Sequence, residues 1–150
     1  MPQSLVHNVL HLVFSTKERQ PCISKQIRDD LNAYIVGILR KNECHSIIAG
    51  SEKDHVHVLF ILSKNKALKD VVREAKAGSS RWLKGKGEDF KDFQWQGGYS
   101  AFSVSQSNVA AVIRYIRGQE EHHRKFSFKE ELMKLLEKHG VQFDERYLWD

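Results

Sequence analysis

The chain has 150 residues, of which 41% are hydrophobic and 29% are charged. This length fits a single domain spanning residues 1–150, and the composition excludes an intrinsically disordered protein. The uninterrupted apolar stretch from Val58 to Leu62 is far too short to cross a bilayer. The N-terminus lacks a basic segment followed by a long apolar core, and the two cysteines form no CxxC pair. We therefore expect a cytoplasmic protein with no membrane partner.

The net charge is +5, from 24 basic and 19 acidic residues. A positive excess favours an anionic partner, and nucleic acid is the commonest one. The segment from Lys64 to Lys86 holds eight basic residues against two acidic ones. Charge alone gives a DNA-binding surface and an ordinary solvated helix face about equal weight.

The first half of the chain alternates between strand and helix patterns. The β-formers from Val6 to Ser15 predict a strand, and apolar residues at helical spacing predict a helix from Ser24 to Lys41. Two β-rich stretches, Ser46–Ala49 and His55–Leu62, follow on either side of the polar segment Gly50–Asp54. They predict a hairpin with a five-residue loop.

The second half begins with helical spacing from Ala67 to Leu83. Two stretches, Phe93–Trp95 and Tyr99–Val104, then suggest extended chain. A helix is predicted from Val109 to about His122. Another is predicted after a capping box at Ser127 and Glu130, running to about His139 and ending at Gly140. The last ten residues are expected to pack on the body or on a second subunit.

This order of elements predicts the fold class. Strand–helix–strand–strand–helix–strand is typical of a ferredoxin-like (RRM-like) α+β core. We therefore expect an antiparallel sheet with helices on one side, followed by added C-terminal helices.

The segment Asp54-His55-Val56-His57 lies on the second strand of the predicted hairpin. Because side chains alternate along a strand, His55 and His57 point to the same face, about 7 Å apart along the strand. Two imidazoles so placed can converge on one divalent ion. The alternative is a pair of half-exposed histidines on the polar face of the sheet. Two ligands leave a metal site incomplete, so a third would come from elsewhere.

The helix from Val109 carries the second candidate group. Tyr115 and Gln119 are four residues apart and lie on one flank of its apolar stripe. Gln119 could complete a metal site through its amide oxygen, and Tyr115 could supply a nucleophile. The alternative is an amphipathic helix with an ordinary boundary tyrosine. His122 and His123 follow one turn later, and we predict that they contact the DNA backbone or have a structural role.

Four stretches together resemble one family, the single-tyrosine HUH transposases called TnpA, which belong to the smallest bacterial insertion sequences. They occur in the family's order, and the likeness runs over nearly the whole chain. The matching stretches are His11-Leu-Val-Phe-Ser-Thr-Lys17, Asp54-His-Val-His-Val-Leu59, Phe93-Gln-Trp-Gln-Gly-Gly-Tyr-Ser-Ala-Phe102 and Tyr115-Ile-Arg-Gly-Gln-Glu-Glu-His-His123.

The resemblance implies a specific chemistry. Tyr115 matches the nucleophile that attacks single-stranded DNA, leaving a 5′-phosphotyrosine and a free 3′-hydroxyl. His55 and His57 match the two HUH histidines, and Gln119 matches the third ligand of Mg²⁺ or Mn²⁺. The resemblance also implies hairpin-containing element ends as the DNA and a homodimer, in which each active site combines histidines of one subunit with the tyrosine of the other. Further DNA contacts are predicted at Lys17, Lys69, Arg73, Lys76 and Arg81.

One position departs from the family pattern, because Gly118 stands where we expect Asn. The change affects local helix stiffness rather than the catalytic roles. Three other functions remain open: a domesticated, non-mobile relative that binds DNA hairpins, a metal-dependent nuclease that uses water, and an RNA-binding module on the same sheet. The last would show exposed aromatic residues on its central strands, where this chain has His55 and His57.

Overall fold

Four strands form one antiparallel sheet in the computed structural model, which describes residues 2–149. The strands are β1 (Val9–Ser15), β2 (His45–Ser51), β3 (His55–Ile61) and β4 (Ser100–Ser103), in the spatial order β2-β3-β1-β4. All their pairings are antiparallel. Because β1 and β3 occupy the centre, side chains on both of their faces are buried.

Two long helices cover one face of this sheet. They are α1 (Lys25–Lys41) and α2 (Leu68–Lys84). Leu12 and Phe14 of β1 and Val58 of β3 form a core with the apolar stripes of both helices. This is the larger of the buried clusters, and its burial holds the central strands in place.

The C-terminal helices cover the opposite face. They are α3 (Val109–Arg117), α4 (Gln119–His122), α5 (Phe128–Lys138) and α6 (Glu145–Leu148). Val109 and Ile116 of α3 pack on Leu59 of β3. Phe128 and the leucines of α5 form a second small cluster with Val13 and Phe102. None of the helices within residues 2–149 is both long and apolar enough to cross a membrane.

The predicted ferredoxin-like α+β class is confirmed. The C-terminal helices add a layer on the second face, so the sheet has helices on both sides. Several boundaries differ from the predicted ones. β1 begins at Val9 rather than Val6, and β2 continues to Ser51, which shortens the hairpin loop. Of the predicted stretch Phe93–Trp95, only Trp95 pairs, through an isolated bridge to Thr16.

The predicted helix from Val109 to His122 is two helices that meet at Gly118. A Cβ atom at Gly118 would lie 3.3 Å from the carbonyl oxygen of Arg114, so a side chain there would crowd the preceding turn. Gln119, the first residue of α4, is buried. The predicted capping box at Ser127 and Glu130 is present at the start of α5.

The tail also packs on the body. The carbonyl oxygen of Leu148 accepts a hydrogen bond from Gln96, and the guanidinium carbon of Arg19 lies 4.5 Å from the ring centre of Trp149. The expected packing therefore occurs at Leu148 and Trp149, whereas residues 141–147 are exposed. Asp150 lies outside the described residues.

Candidate active site

Strand β3 directs His55 and His57 to the face covered by the C-terminal helices. Both side chains are completely buried, and their rings lie 5.1 Å apart between centroids. In the sheet, His57 pairs with Val13 of β1 and His55 pairs with Ser15. The strand's other face packs into the core, so the two imidazoles are held on a rigid support.

Helix α5 brings a carboxylate to these histidines. Oε1 of Glu131 lies 2.9 Å from Nε2 of His57 and 3.5 Å from Nε2 of His55. One ligand atom from each of the three residues falls within 4.8 Å of the others. Two imidazoles and a carboxylate at this spacing are a group that could bind a metal ion.

The amide of Gln119 lies at the same place. Its Oε1 is 3.3 Å from Nε2 of His55 and 2.8 Å from Nε2 of His123. Oε2 of Glu131 lies 3.3 Å from Nε2 of His123 and 3.2 Å from Nε2 of His122. The structure thus brings Gln119, His122 and His123 to the predicted metal site. Glu131, which was not predicted, lies among them.

Hydrogen bonds on the far side of each ring orient the two central histidines. Nδ1 of His55 lies 2.7 Å from Oδ1 of Asp54, and Nδ1 of His57 lies 2.8 Å from Nε2 of His11. The Asp54 carboxylate can only accept, so Nδ1 of His55 carries the proton and its Nε2 presents a lone pair into the site. A partner of this kind fixes the tautomer that a metal ligand needs. In the metal-free protein Nε2–H of His57 donates to the Glu131 carboxylate, so its Nδ1 accepts from Nε2–H of His11.

Charge within the site is concentrated on Glu131. Burial by itself raises the pKa of this carboxyl, but contacts with His123 and His57 outweigh it and hold the pKa far below its usual range. Burial lowers the pKa of His57, which favours the neutral ring. For His123, the nearby Glu131 carboxylate overcomes the effect of burial and raises the pKa. The site therefore presents an ionised carboxylate beside the neutral ring of His57.

Two buried atoms fit the binding of a cation. Within residues 2–149, Oε2 of Glu131 and Nε2 of His122 have no aligned hydrogen-bond partner. A buried polar atom without a partner is costly unless an ion or water satisfies it. The oxygen and nitrogen donors here suit Mn²⁺, and the carboxylate and amide oxygens suit Mg²⁺. The residues present thus fit a divalent metal.

Tyr115 lies beside this group, on the last turns of α3. Its ring centroid is 5.7 Å from that of His57, 6.1 Å from that of His11 and 5.6 Å from that of His122. Burial, and then the charge of Glu131, raises the pKa of the phenol well above its usual range. The hydroxyl is therefore protonated at neutral pH in the metal-free protein.

The predicted DNA contacts lie in several places. Lys69, Arg73 and Arg81 are exposed on α2, and Lys17 is exposed just after β1. Helix α2 covers the face of the sheet opposite His55 and His57, so its basic side chains are remote from Tyr115. The ammonium of Lys76 differs from the others, because it is half-buried and donates hydrogen bonds to the carbonyl oxygens of Gln96 and Gly98. It tethers the chain that leads into β4.

Sequence reasoning missed Glu131, His11 and Asp54. Glu131 carried a usable signal, because it lies on the apolar stripe of α5, three residues after Phe128 and next to Leu132. A carboxylate on a buried stripe needs a charged or metal partner. His11 had no such signal, since its contact with His57 depends on the register of β1 against β3.

Stability should fall in acid because of His11. Burial, with the neighbouring His57, lowers the pKa of His11 from 6.5 to about 3. The unfolded chain therefore binds a proton at this residue between pH 6.5 and about 3 while the folded chain does not, so the free energy of unfolding decreases as the pH falls through that window. By about pH 3, protonation of His11 should have lowered the free energy of unfolding by on the order of 5 kcal/mol.

Urea unfolding in EDTA at a series of pH values measures this loss. His11→Gln, which cannot titrate, should make the dependence on pH shallower over that window, and His45→Gln, at an exposed histidine, is the matched control. Equal slopes for the wild type and His11→Gln would show that His11 takes up its proton in the folded state.

The chain is similar to known proteins over most of its length. The family model described as "Transposase IS200 like" matches residues 5–119, which include both central histidines, Tyr115 and Gln119. The ISDra2 transposase TnpA of Deinococcus radiodurans is 26% identical over 116 residues, covering 74% of this chain and 83% of the relative.

Two solved structures share the fold. One is of a protein described as a transposase from Deinococcus radiodurans R1, with a TM-score of 0.62 and 22% identity over 79% of this chain and 98% of the other. The second is a REP-associated tyrosine transposase bound to a REP hairpin, with a TM-score of 0.60 and 12% identity over 82% of this chain and 73% of the other. Since the family model matches most of the sequence, the chain belongs to the IS200-like family of DNA transposases.

Proposed function

We propose that this transposase cleaves and rejoins single-stranded DNA at insertion-sequence ends through a covalent bond to Tyr115. One observation carries the proposal: a single chain places the tyrosine ring 5.7 Å from the His57 ring, beside a buried group of histidines and a carboxylate. A phenol next to a potential metal site is suited to attack on a phosphodiester, whose charge must be offset before an anionic nucleophile can approach.

Each phosphorus–oxygen bond that forms in this reaction replaces one that breaks, so no cofactor is consumed. Oη of Tyr115 bonds to the scissile phosphorus, the bond from phosphorus to O3′ breaks, and the phenolic proton is released. O3′ takes up a proton and leaves as a hydroxyl, and the segment downstream of the cut stays on the tyrosine through its 5′-phosphate, as a phosphodiester. A different 3′-hydroxyl can then attack that phosphorus and restore the phenol, so rejoining needs no ATP.

The metal site would consist of His55, His57 and Gln119, with Glu131 as a further ligand. Mg²⁺ or Mn²⁺ held there would supply positive charge that polarises the phosphate and stabilises the negative charge that develops on it. The chain's own residues have separate roles. Asp54 and His11 orient the two rings, and Glu131 keeps the phenol protonated until positive charge compensates its own.

The DNA partner has support from the neighbour that binds a REP hairpin. We infer that hairpins near the element ends are recognised here too. The exposed basic residues of α2 lie on the face of the sheet away from Tyr115, so they would contact DNA outside the cleaved segment. The same surface would serve a non-mobile relative that binds hairpins without cleaving them.

A trapping experiment tests the proposal. The purified protein is incubated with Mg²⁺ or Mn²⁺ and a labelled single-stranded oligonucleotide from the flanks of its own gene, then run on a denaturing gel. We expect a slowly migrating protein–DNA adduct that EDTA abolishes and added metal restores. Cleavage without an adduct would establish a water-using nuclease instead, and hairpin binding without any reaction would establish a binding protein.

The composite homodimer stays a prediction, and the structure suggests how to test it. Tyr115 lies beside His57 of its own chain, so a site that acts within one subunit is the alternative to the composite one. A mixture of Tyr115→Phe and His57→Ala should then form no adduct, since neither chain has a complete site. Recovery of adduct in the mixture, after both variants are shown to be inactive alone, would demonstrate sites shared between subunits.

A further inference from the structure

A cavity of about 410 Å³ opens between α3 and α5, directly beside Tyr115. Strands β1 and β4 form its floor, through His11 and Ser103. Its walls are mainly apolar, with Ala111 and Val112 on α3 and Leu135 on α5. This volume lies within the range of small-molecule sites.

Several polar groups line the cavity. Among them are Tyr115 and Glu131, which belong to the proposed active site. Lys134 and Lys138 also line the cavity, one helical turn apart on α5, and both are exposed. The His139 ring lines it as well, stacked on Phe102 with 4.5 Å between centroids and 28° between planes. An occupant should therefore have an apolar flat portion and negative charge at its edge.

We propose that this cavity holds one unpaired nucleotide of the DNA strand, next to the scissile phosphate. The inference rests on the proposed function, because Tyr115, which lines the cavity, would then face the phosphate of the bound nucleotide. The base would lie among the apolar walls, and the two lysines would contact the flanking phosphate. Stacking and charge complementarity of this kind are how proteins hold single strands without reading sequence.

Nucleotide binding tests the cavity without any cleavage. The probes are thymidine 3′,5′-bisphosphate and the matching deoxyribose bisphosphate that lacks a base, measured by calorimetry in Mg²⁺ buffer. We expect the base to tighten binding by about tenfold or more, as stacking of one base does. Ala111→Trp fills the cavity from α3 and should remove that difference, because only the phosphate contacts remain.

A matched control is available on the same helix. Ala110 is exposed and does not line the cavity, so Ala110→Trp should keep the preference for the base. If Ala111→Trp fails to fold, Leu135→Phe narrows the cavity from the opposite helix and takes its place. Equal binding of the two probes by the wild type, or a preserved preference when the cavity is filled, would overturn the proposal.

This outcome is separable from that of the proposed function. Tyr115-dependent adducts in a protein that shows no preference for the base would overturn the nucleotide site alone. A clear preference for the base in a protein that forms no adduct would keep the nucleotide site and overturn the covalent mechanism.

Discussion

Tyr115→Phe should abolish the covalent protein–DNA adduct, with a loss of about 10⁴-fold or more, because the hydroxyl oxygen is the atom that bonds to phosphorus. The phenyl ring keeps the edge contacts with His11, His57 and His122, so binding of single-stranded DNA should change by no more than about twofold, as expected for a loss confined to the chemical step. Denaturing gels measure the adduct, and fluorescence anisotropy with the same oligonucleotide measures binding.

Tyr34→Phe is the matched control. Tyr34 is partly exposed on α1 and stacks on Trp82, on the opposite side of the sheet, so its hydroxyl should have no part in cleavage. Strand cleavage that survives in Tyr115→Phe would assign the attack to water. An adduct that survives would assign it to another tyrosine, and peptide mapping of the adduct would identify which.

The sequence predicted those features that depend on local pattern. Alternation along β3 placed His55 and His57 on one face, and the four-residue spacing in the helix that follows β4 placed Tyr115 and Gln119 on one flank. In the structure both histidines are buried together, and Gln119, although it lies in α4 beyond Gly118, contacts His55 at the site beside Tyr115. The capping box at Ser127 was equally readable, because it depends only on residues three apart.

Features that depend on how elements pack were not readable. The basic residues of α2 form a clear pattern, yet nothing in that pattern indicates that the helix covers the face away from Tyr115. The hydrogen bond between the rings of His57 and His11 requires the register between β1 and β3. Glu131 becomes part of the site only because α5 folds back over β3, sixteen residues after Tyr115 in the chain.

Glu131→Gln is the second change with a large expected effect. The side chain keeps its size but loses the negative charge, which now lies 2.9 Å from His57 and 3.5 Å from His55. Loss of hydrogen-bonding partners around a metal costs about 10- to 100-fold in affinity, and loss of a charged ligand should cost at least the upper figure. Mn²⁺ titration by electron paramagnetic resonance measures the change, and adduct formation should recover partly at high metal concentration.

Glu130→Gln is a close control, because Glu130 is exposed on the same turn and glutamine preserves the capping box. If Glu131→Gln binds Mn²⁺ as tightly as the wild type does, the ion must be held by His55, His57 and Gln119 alone. Glu131 would then be a carboxylate that accepts hydrogen bonds from the histidines in the metal-free protein. A loss confined to Glu131→Gln would instead show that α5, which lies outside the segment matched by the family model, supplies part of the metal site.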